Sequence, residues 1–313
     1  MAETMMIVCP GQGAQVVGMG KAWAGLVPES RAVFDEADSV LGDSLGSPLS
    51  SLCFDGPTET LNRTDVSQPA LYTCAVASWR GILASWGWSE SEAPLVAAAG
   101  LSLGEYSALH VAGSFSFADG LRLVALRGRA MQSAAEAVAS GMVALIGADE
   151  AQAEAVCDRA RAGGVLVCAN FNAPGQVVLS GDAEACSRAE AVAGEMGLRA
   201  KALSVAGAFH SPIMQPAAEA LAEALSGVDI VAPRVPVWSN VTAEVHDSDA
   251  DEIRRRLAEQ LTSPVRWASC FGAMVRAYPG ASVHELAPGK TLGGMGRRID
   301  RSVKVQSHDG PEV

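Results

Sequence analysis

The sequence predicts an α/β fold in which a large doubly wound domain is interrupted by a small split subdomain. Three observations predict it. Short apolar runs of strand composition alternate with longer alanine-rich runs of helical character along most of the chain. The stretch 140–204 departs from that alternation. It reads strand (MVALIG), helix, strand (VLVCANF), strand (QVVLSG), helix, strand (AKALSV), the β-α-β-β-α-β order of ferredoxin-like folds. Finally, 313 residues, 49% of them hydrophobic, correspond to roughly two domains and bury about 75% of the extended surface without a metal or disulfide staple. The large domain then comprises 1–139 and 205–313, and the insertion 140–204.

Taken in order, the apolar run at 6–9 is the first strand, and helices follow over 17–24, 28–41, 58–62 and 68–86. The run at 95–99 is the second strand, followed by helices over 103–112 and 116–139. Inside the insertion, strands fall at 142–146, 165–170, 177–180 and 200–203. Its helices cover 149–162 and 183–196, with Asp149 and Asp182 placed as N-caps whose carboxylates accept from first-turn N–H groups. The large domain resumes with a helix over 211–225, a strand at 237–239, helices over 249–261 and 265–278, and a strand at 282–285. The polar tail after Arg301 is expected to pack loosely.

Composition excludes several functions. With 23 basic against 35 acidic residues the net charge is −12, whereas nucleic-acid binders present dense basic faces. Seven scattered cysteines without a C-x-x-C suggest neither a zinc ribbon nor a redox motif, and no metal is expected. Several of them lie in apolar runs, as reduced thiols of a cytoplasmic protein do. No signal peptide and no 18-residue apolar run is read, so the Asn62 and Asn240 sequons carry no glycosylation meaning.

Three motif matches fail. Val16 stands where G-x-G-x-x-G requires its third glycine after Gly11 and Gly13, and His284 stands where a phosphate loop ending in Gly289-Lys290-Thr291 requires its first. His284-Glu285 is followed by no second histidine, so no H-E-x-x-H site exists. The motif that survives is Gly100-Leu101-Ser102-Leu103-Gly104, between a strand-like APLVAAAG and a helix-like LGEYSALHVAG. G-x-S-x-G in that context is the strand-to-helix elbow of α/β-hydrolase-like domains, which exposes a nucleophilic serine and aims the next N–H at a developing oxyanion.

A serine nucleophile needs a base, and there are five histidines. His308 lies in the tail, His246 in the polar VHDSD, His110 eight residues down the elbow helix, and His284 at a strand end. His210, in SVAGAFHSPIM, occupies a loop after a strand, where α/β enzymes gather their chemistry. No acid for a third triad position emerges from spacing. Arg127 reads locally as an exposed helix arginine beside Arg122 and Arg129.

These residues resemble the malonyl-CoA:acyl carrier protein transacylases of fatty acid synthesis and the related acyltransferase domains of polyketide synthases. The resemblance spans nearly the whole chain: PGQGAQ (10–15), GLSLGE (100–105), RGRAMQ (127–132), NFNAPGQVVLSG (170–181), FHS (209–211), QLTSPVRW (260–267) and ELAPGKTL (285–292). It implies a ping-pong transfer of a malonyl group from coenzyme A to the phosphopantetheine thiol of an acyl carrier protein, without cofactor, by a monomer.

Residue by residue, the resemblance puts the nucleophile on Ser102 and the base on His210. The oxyanion hole falls on the main-chain N–H groups of Gln12 and Leu103, and the anchor for the malonyl carboxylate on Arg127. The carbonyl that orients the histidine falls on Gln260, which accounts for the missing acid. Phe209 and Leu103 match the pattern of malonyl rather than methylmalonyl users, since the phenyl ring fills the space an α-methyl needs. One departure is Leu101, where many members carry histidine.

An acidic enzyme recruiting an acidic carrier must do so through local basic patches. Arg297, Arg298, Arg301 and Lys304 form the densest, and Arg254–Arg256 the second. The alternatives are a trans-acting polyketide malonyl acyltransferase and a G-x-S-x-G esterase using water as acceptor.

Overall fold

The computed structural model describes residues 4–311. The chain enters through β1 (Met5–Cys9) and runs through α1 (Lys21–Leu26), α2 (Pro28–Leu41), α3 (Leu49–Asp55), α4 (Thr58–Leu61) and α5 (Thr64–Trp86). Strand β2 (Leu95–Gly100) leads through the elbow into α6 (Gly104–Val111) and α7 (Phe117–Ala137). Next come β3 (Ser140–Ile146), α8 (Glu150–Arg161), β4 (Leu166–Ala173), β5 (Gln176–Asp182), α9 (Ala183–Glu195) and β6 (Arg199–Ala202). A 3-10 turn at Pro212–Met214 precedes α10 (Gln215–Ser226) and β7 (Val237–Trp238). The chain then forms α11 (Ala250–Glu259), α12 (Trp267–Ala277), β8 (Ser282–Leu286), α13 (Thr291–Ile299) and β9 (Val305–His308).

The first sheet has the order β7-β2-β1-β8-β9, and every pairing in it is parallel. Strand alternation covers both its faces. Met5, Ile7 and Cys9 point into the cluster built on α2, α5 and α7, while Met6 and Val8 point at Trp267 and Phe271 of α12. The strand order grows outward from β1 toward β7, then resumes on the other side with β8. In such sheets ligands bind beyond the carboxyl ends of the strands where the order reverses, here between β1 and β8, so the loop after β1 borders that region.

The second sheet, β4-β5-β3-β6, is antiparallel throughout. Val143 and Leu145 face α8 and α9, whereas Met142 and Val178 turn inward to the main core. Both expected N-caps are present: Asp149 closes a capping box with Gln152, and Asp182 accepts from the Ala185 N–H. A bridge between Asn170 and Val265 ties β4 to the loop before α12.

The structure departs from expectation in several places. The first helix begins at Lys21 rather than at 17, because Gly18 and Gly20 take φ values of 97° and 73°, which a right-handed helix excludes. The helix expected over 211–225 opens as a 3-10 turn, since Pro216 lacks an N–H and belongs in a first turn. Helix α13 was not anticipated: three glycines lower its propensity, and it is held by the Glu285 carboxylate accepting from the Leu292 and Gly293 N–H groups at 2.7 and 2.9 Å. Helix α3 was also missed.

The expectation of a loosely packed tail after Arg301 is corrected. Val305–His308 pairs with β8, and His308 is buried. Four polar-interrupted residues carry no strand signal of their own; the edge of β8 supplies it. Residues 312 and 313 of that tail lie outside the described residues.

Candidate active site

Strand β2 ends in Gly100, and helix α6 begins four residues later at Gly104. Reversing the chain in so short a span forces Ser102 to φ 51°, a left-handed conformation that strains a residue with a side chain. The flanking residues have to be glycine. A Cβ on Gly100 would stand 1.9 Å from the Gly104 carbonyl carbon, and one on Gly104 would stand 2.1 Å from the Cys9 carbonyl oxygen. Asn240, just beyond β7, clamps the turn: its Oδ1 accepts from the Ser102 N–H at 2.6 Å and its Nδ2 donates to the Gly100 carbonyl at 2.8 Å.

His210 arrives from the loop after β6, itself at φ 56°. Its Nε2 lies 2.8 Å from Ser102 Oγ, and its Nδ1 lies 2.8 Å from the Gln260 main-chain oxygen. A carbonyl only accepts, so the proton sits on Nδ1 and the lone pair of Nε2 faces the serine hydroxyl. Burial, then the nearby Arg127 cation, push the imidazole pKa down to about 4, against a smaller upward pull from the Gln260 carbonyl. Near neutrality the ring is an uncharged base.

Arg127, on α7, is 1% exposed, which corrects the exposed-arginine reading of its local sequence. Its Nη2 donates to Ser102 Oγ at 3.1 Å and to Gln260 Oε1 at 2.9 Å, and its Nη1 donates to Gln68 Oε1 at 2.7 Å. The guanidinium carbon lies 5.5 Å from the centroid of the Tyr106 ring. Its Nε–H has no acceptor among the described residues. Burial lowers the guanidinium pKa, while Tyr106 and Glu105 work against that shift. A buried cation surrounded by neutral acceptors, with an N–H unfilled, has the donors to take a carboxylate.

A cleft of about 370 Å³ opens over the serine, lined by Gln12, Leu101, Met131, Phe209 and His210 among others. Leu103 and Gln260 are buried behind it. Among the described residues the main-chain N–H groups of Gln12 and Leu103 donate to no protein acceptor. Leu101 packs into the apolar cluster around Trp267 and donates its N–H to the Cys9 carbonyl, so the elbow needs no polar side chain there.

The remaining histidines are occupied elsewhere. His110 Nδ1 meets the Phe115 carbonyl at 3.0 Å, and His284 Nδ1 meets His308 Nε2 at 2.8 Å. His246 is not in an exposed polar loop: it is buried, with Nε2 2.6 Å from Glu105 Oε1. The neighbourhood of the site therefore includes residues for which the sequence indicated no role there, namely Gln68, Glu105, Asn240 and His246. Asn240 had a signal, its position at the carboxyl end of a strand; Gln68 had none. All seven cysteines are free. Among the described residues no group of three or more His, Cys, Asp or Glu is arranged to hold a metal, and no helix is long and apolar enough to cross a membrane.

The two basic runs differ. Arg254, Arg255 and Arg256 are engaged by Asp251, Glu252 and Glu259. Arg297, Arg298, Arg301 and Lys304 make no ion pair among the described residues. Thr291 and Met295, on the same helix as Arg297 and Arg298, line the cleft.

A doubly wound sheet carrying a serine at its strand-to-helix elbow, with a neutral imidazole and a guanidinium both in contact with the hydroxyl, defines a class of serine-dependent group-transfer proteins. The chain belongs to the acyl transferase domain family, whose model matches residues 6–295. It is 42% identical over 306 residues to the malonyl CoA-acyl carrier protein transacylase of Bacillus subtilis (strain 168), covering 97% of this chain and 93% of that protein. The crystal structure of malonyl-CoA:acyl carrier protein transacylase from Xanthomonas oryzae superposes with a TM-score of 0.91 at 42% identity, covering 99% of this chain and 96% of that one. A malonyl-transacylase solved in complex with its type II polyketide acyl carrier protein also gives 0.91, at 36% identity, covering 98% and 96%.

Proposed function

We propose that this chain transfers a malonyl group from coenzyme A to the phosphopantetheine thiol of an acyl carrier protein, in two half-reactions through a malonyl-serine ester. His210 Nε2 takes the Ser102 proton as Oγ adds to the thioester carbonyl. The negative oxygen of the tetrahedral intermediate is met by the N–H groups of Gln12 and Leu103, a type of contact whose loss typically costs about 10²–10³ in rate. The intermediate collapses, the C–S bond breaks, and His210 returns its proton to the coenzyme A sulfur. The carrier thiol repeats the steps in reverse order of roles and regenerates Ser102. Gln260, through its main-chain oxygen, keeps the imidazole in the working tautomer.

The observation that carries this reading is Arg127, buried with its Nη2 3.1 Å from Ser102 Oγ. An acyl group ending in a carboxylate is the substrate such a cation selects, and malonyl is a short one. Phe209, buried at the cleft beside His210, leaves little room for an α-methyl substituent. An esterase using water gives Arg127 no task. The chemistry needs only side chains and main-chain N–H groups, so no cofactor enters it. We assign 1–139 and 205–313 to the catalytic domain and 140–204 to an inserted subdomain, in a monomeric cytoplasmic enzyme serving fatty acid synthesis.

The test is to load the protein with radiolabelled malonyl-CoA and chase with holo carrier protein or with water. Label that stays on the protein in buffer and moves only to the carrier is the expected result. Rapid release to water points instead to an esterase, and absence of label to a non-catalytic relative.

A further inference from the structure

Two buried ionisable side chains beside the active site take no part in the acyl transfer. Glu105, on the first turn of α6, and His246, after β7, both have fully buried side chains, 2.6 Å apart at Oε1 and Nε2. The other carboxylate oxygen of Glu105 accepts from the Asn240 main-chain N–H at 3.0 Å and from Gln260 Nε2 at 2.6 Å. These two donors belong to the residues that organise the site. Asn240 clamps the Ser102 turn, and Gln260 touches Arg127, Ser102 and His210.

The Gln260 carboxamide lies between a carboxylate, which only accepts, and a guanidinium, which only donates. That pairing permits one amide orientation, with oxygen toward Arg127 and nitrogen toward Glu105. In it Oε1 takes the Arg127 Nη2–H at 2.9 Å, while Nε2 is shared between Glu105 and the Ser102 carbonyl at 3.1 Å. The main-chain oxygen of the same residue holds His210 Nδ1. Glu105 is also an anion whose field acts on the buried Arg127 cation. Its His246 contact holds the carboxylate through the other oxygen.

We propose that Glu105, restrained by His246, is a positioning residue that fixes the Gln260 amide and thereby sets the Arg127 guanidinium for the substrate carboxylate. This rests on Ser102, His210 and Arg127 being the acyl-transfer site. A positioning role predicts a selective defect. With Glu105→Gln the carboxylate is replaced by an amide of equal size that also carries donors. The Gln260 amide is then free to turn over and present its nitrogen to Arg127, so the guanidinium loses an acceptor and its aim.

The experiment measures kcat/KM for malonyl-CoA and for acetyl-CoA, whose acyl group has no carboxylate, in wild type, E105Q, E105D, H246L and R127A. Supporting an aligned ligand from behind is typically worth about 10–100-fold. The expected result for E105Q is a malonyl loss in that range with an acetyl loss under about tenfold, so the malonyl preference collapses. E105D, which restores a carboxylate, is expected to recover part of the preference. In an R127A background E105Q should leave the ratio unchanged, because its route to selectivity has already been removed.

Equal losses for the two substrates, or no loss, would overturn the proposal and leave Glu105 a packing residue. If E105Q does not fold, H246L, which keeps the carboxylate but removes one of its donors, decides the matter: a lowered malonyl-to-acetyl ratio supports positioning, and an unchanged ratio overturns it. R127A separates this outcome from failure of the underlying assignment. If R127A itself preserves the ratio, the anchor reading has failed; if R127A loses it and E105Q does not, only the role of Glu105 has failed.

Discussion

Ser102 and His210 both sit at positive φ, 51° and 56°, so the proposed reacting pair is held in conformations that each cost about 1–3 kcal/mol and persist because the surroundings dictate them. Arg127→Ala should lower malonyl transfer by roughly a thousandfold, within the about 2–5 kcal/mol expected for removing one member of a buried charge pair, while acetyl transfer is retained. A transfer assay with both acyl-CoAs checks this; equal loss contradicts an anchoring role. His210 gives a second prediction. Because its free-enzyme pKa is about 4, kcat/KM should stay level from pH 8 to about 5 and fall only near 4, rather than near the ordinary histidine value of about 6.5. The Arg127 cation disfavours the imidazolium, so R127A, assayed with acetyl-CoA, should move the acid limb upward. A limb near 6.5 in wild type would show that burial and the Arg127 cation do not depress the His210 pKa. Ser102 was legible from its five-residue motif, because an elbow is a local backbone event. The burial of Arg127 was not, since α7 shows the same local pattern whether that face meets water or meets Ser102.

At the scale of elements, the elbow and the sheet edge respond to different perturbations. Gly104→Ala places a Cβ against the Cys9 carbonyl, a backbone clash no side-chain rotation relieves. It should abolish acyl-enzyme formation and destabilise the protein by several kcal/mol, read by label incorporation and urea unfolding. The β8–β9 edge carries the buried pair His284 and His308. Burial first, then His308, push the His284 pKa down to about 4, below its unfolded value near 6.5. The unfolded chain therefore takes up protons first, and the stability from keeping this ring neutral is lost as pH falls from about 6.5 toward 4, at up to about 1.4 kcal/mol per pH unit. Urea midpoints at pH 7.5 and 4.5 should differ accordingly. His284→Gln should reduce the difference without removing it, because His210 titrates in the same window. An unchanged difference would count against it. Strands and helices with apolar periodicity were legible within a few residues. β9 and α13 were not, because one is made by pairing with β8 and the other by the Glu285 carboxylate.

For the whole molecule, a net charge of −12 must coexist with an anionic coenzyme and an acidic carrier. Ion pairing decides which basic run is available: Arg254–Arg256 are engaged by neighbouring carboxylates, whereas Arg297, Arg298, Arg301 and Lys304 make no ion pair among the described residues. Arg297→Glu with Arg298→Glu should raise the carrier KM about tenfold or more, with the effect shrinking at high salt, while the KM for malonyl-CoA changes little. An unchanged carrier KM removes this surface from consideration. The sequence by itself determined the class of fold and, through its ordered motifs, the family, and it singled out Ser102 and His210 as the proposed reacting pair. Strand alternation, helix caps and a tight elbow are written in neighbouring residues. Only the tertiary structure decided that Arg127 is buried against the serine, that Asn240 clamps the serine turn, and that Glu105 and His246 stand behind Gln260. Those contacts join residues 25 to 155 positions apart, and no local pattern records which distant donors and acceptors the fold will bring within hydrogen-bond reach of one another.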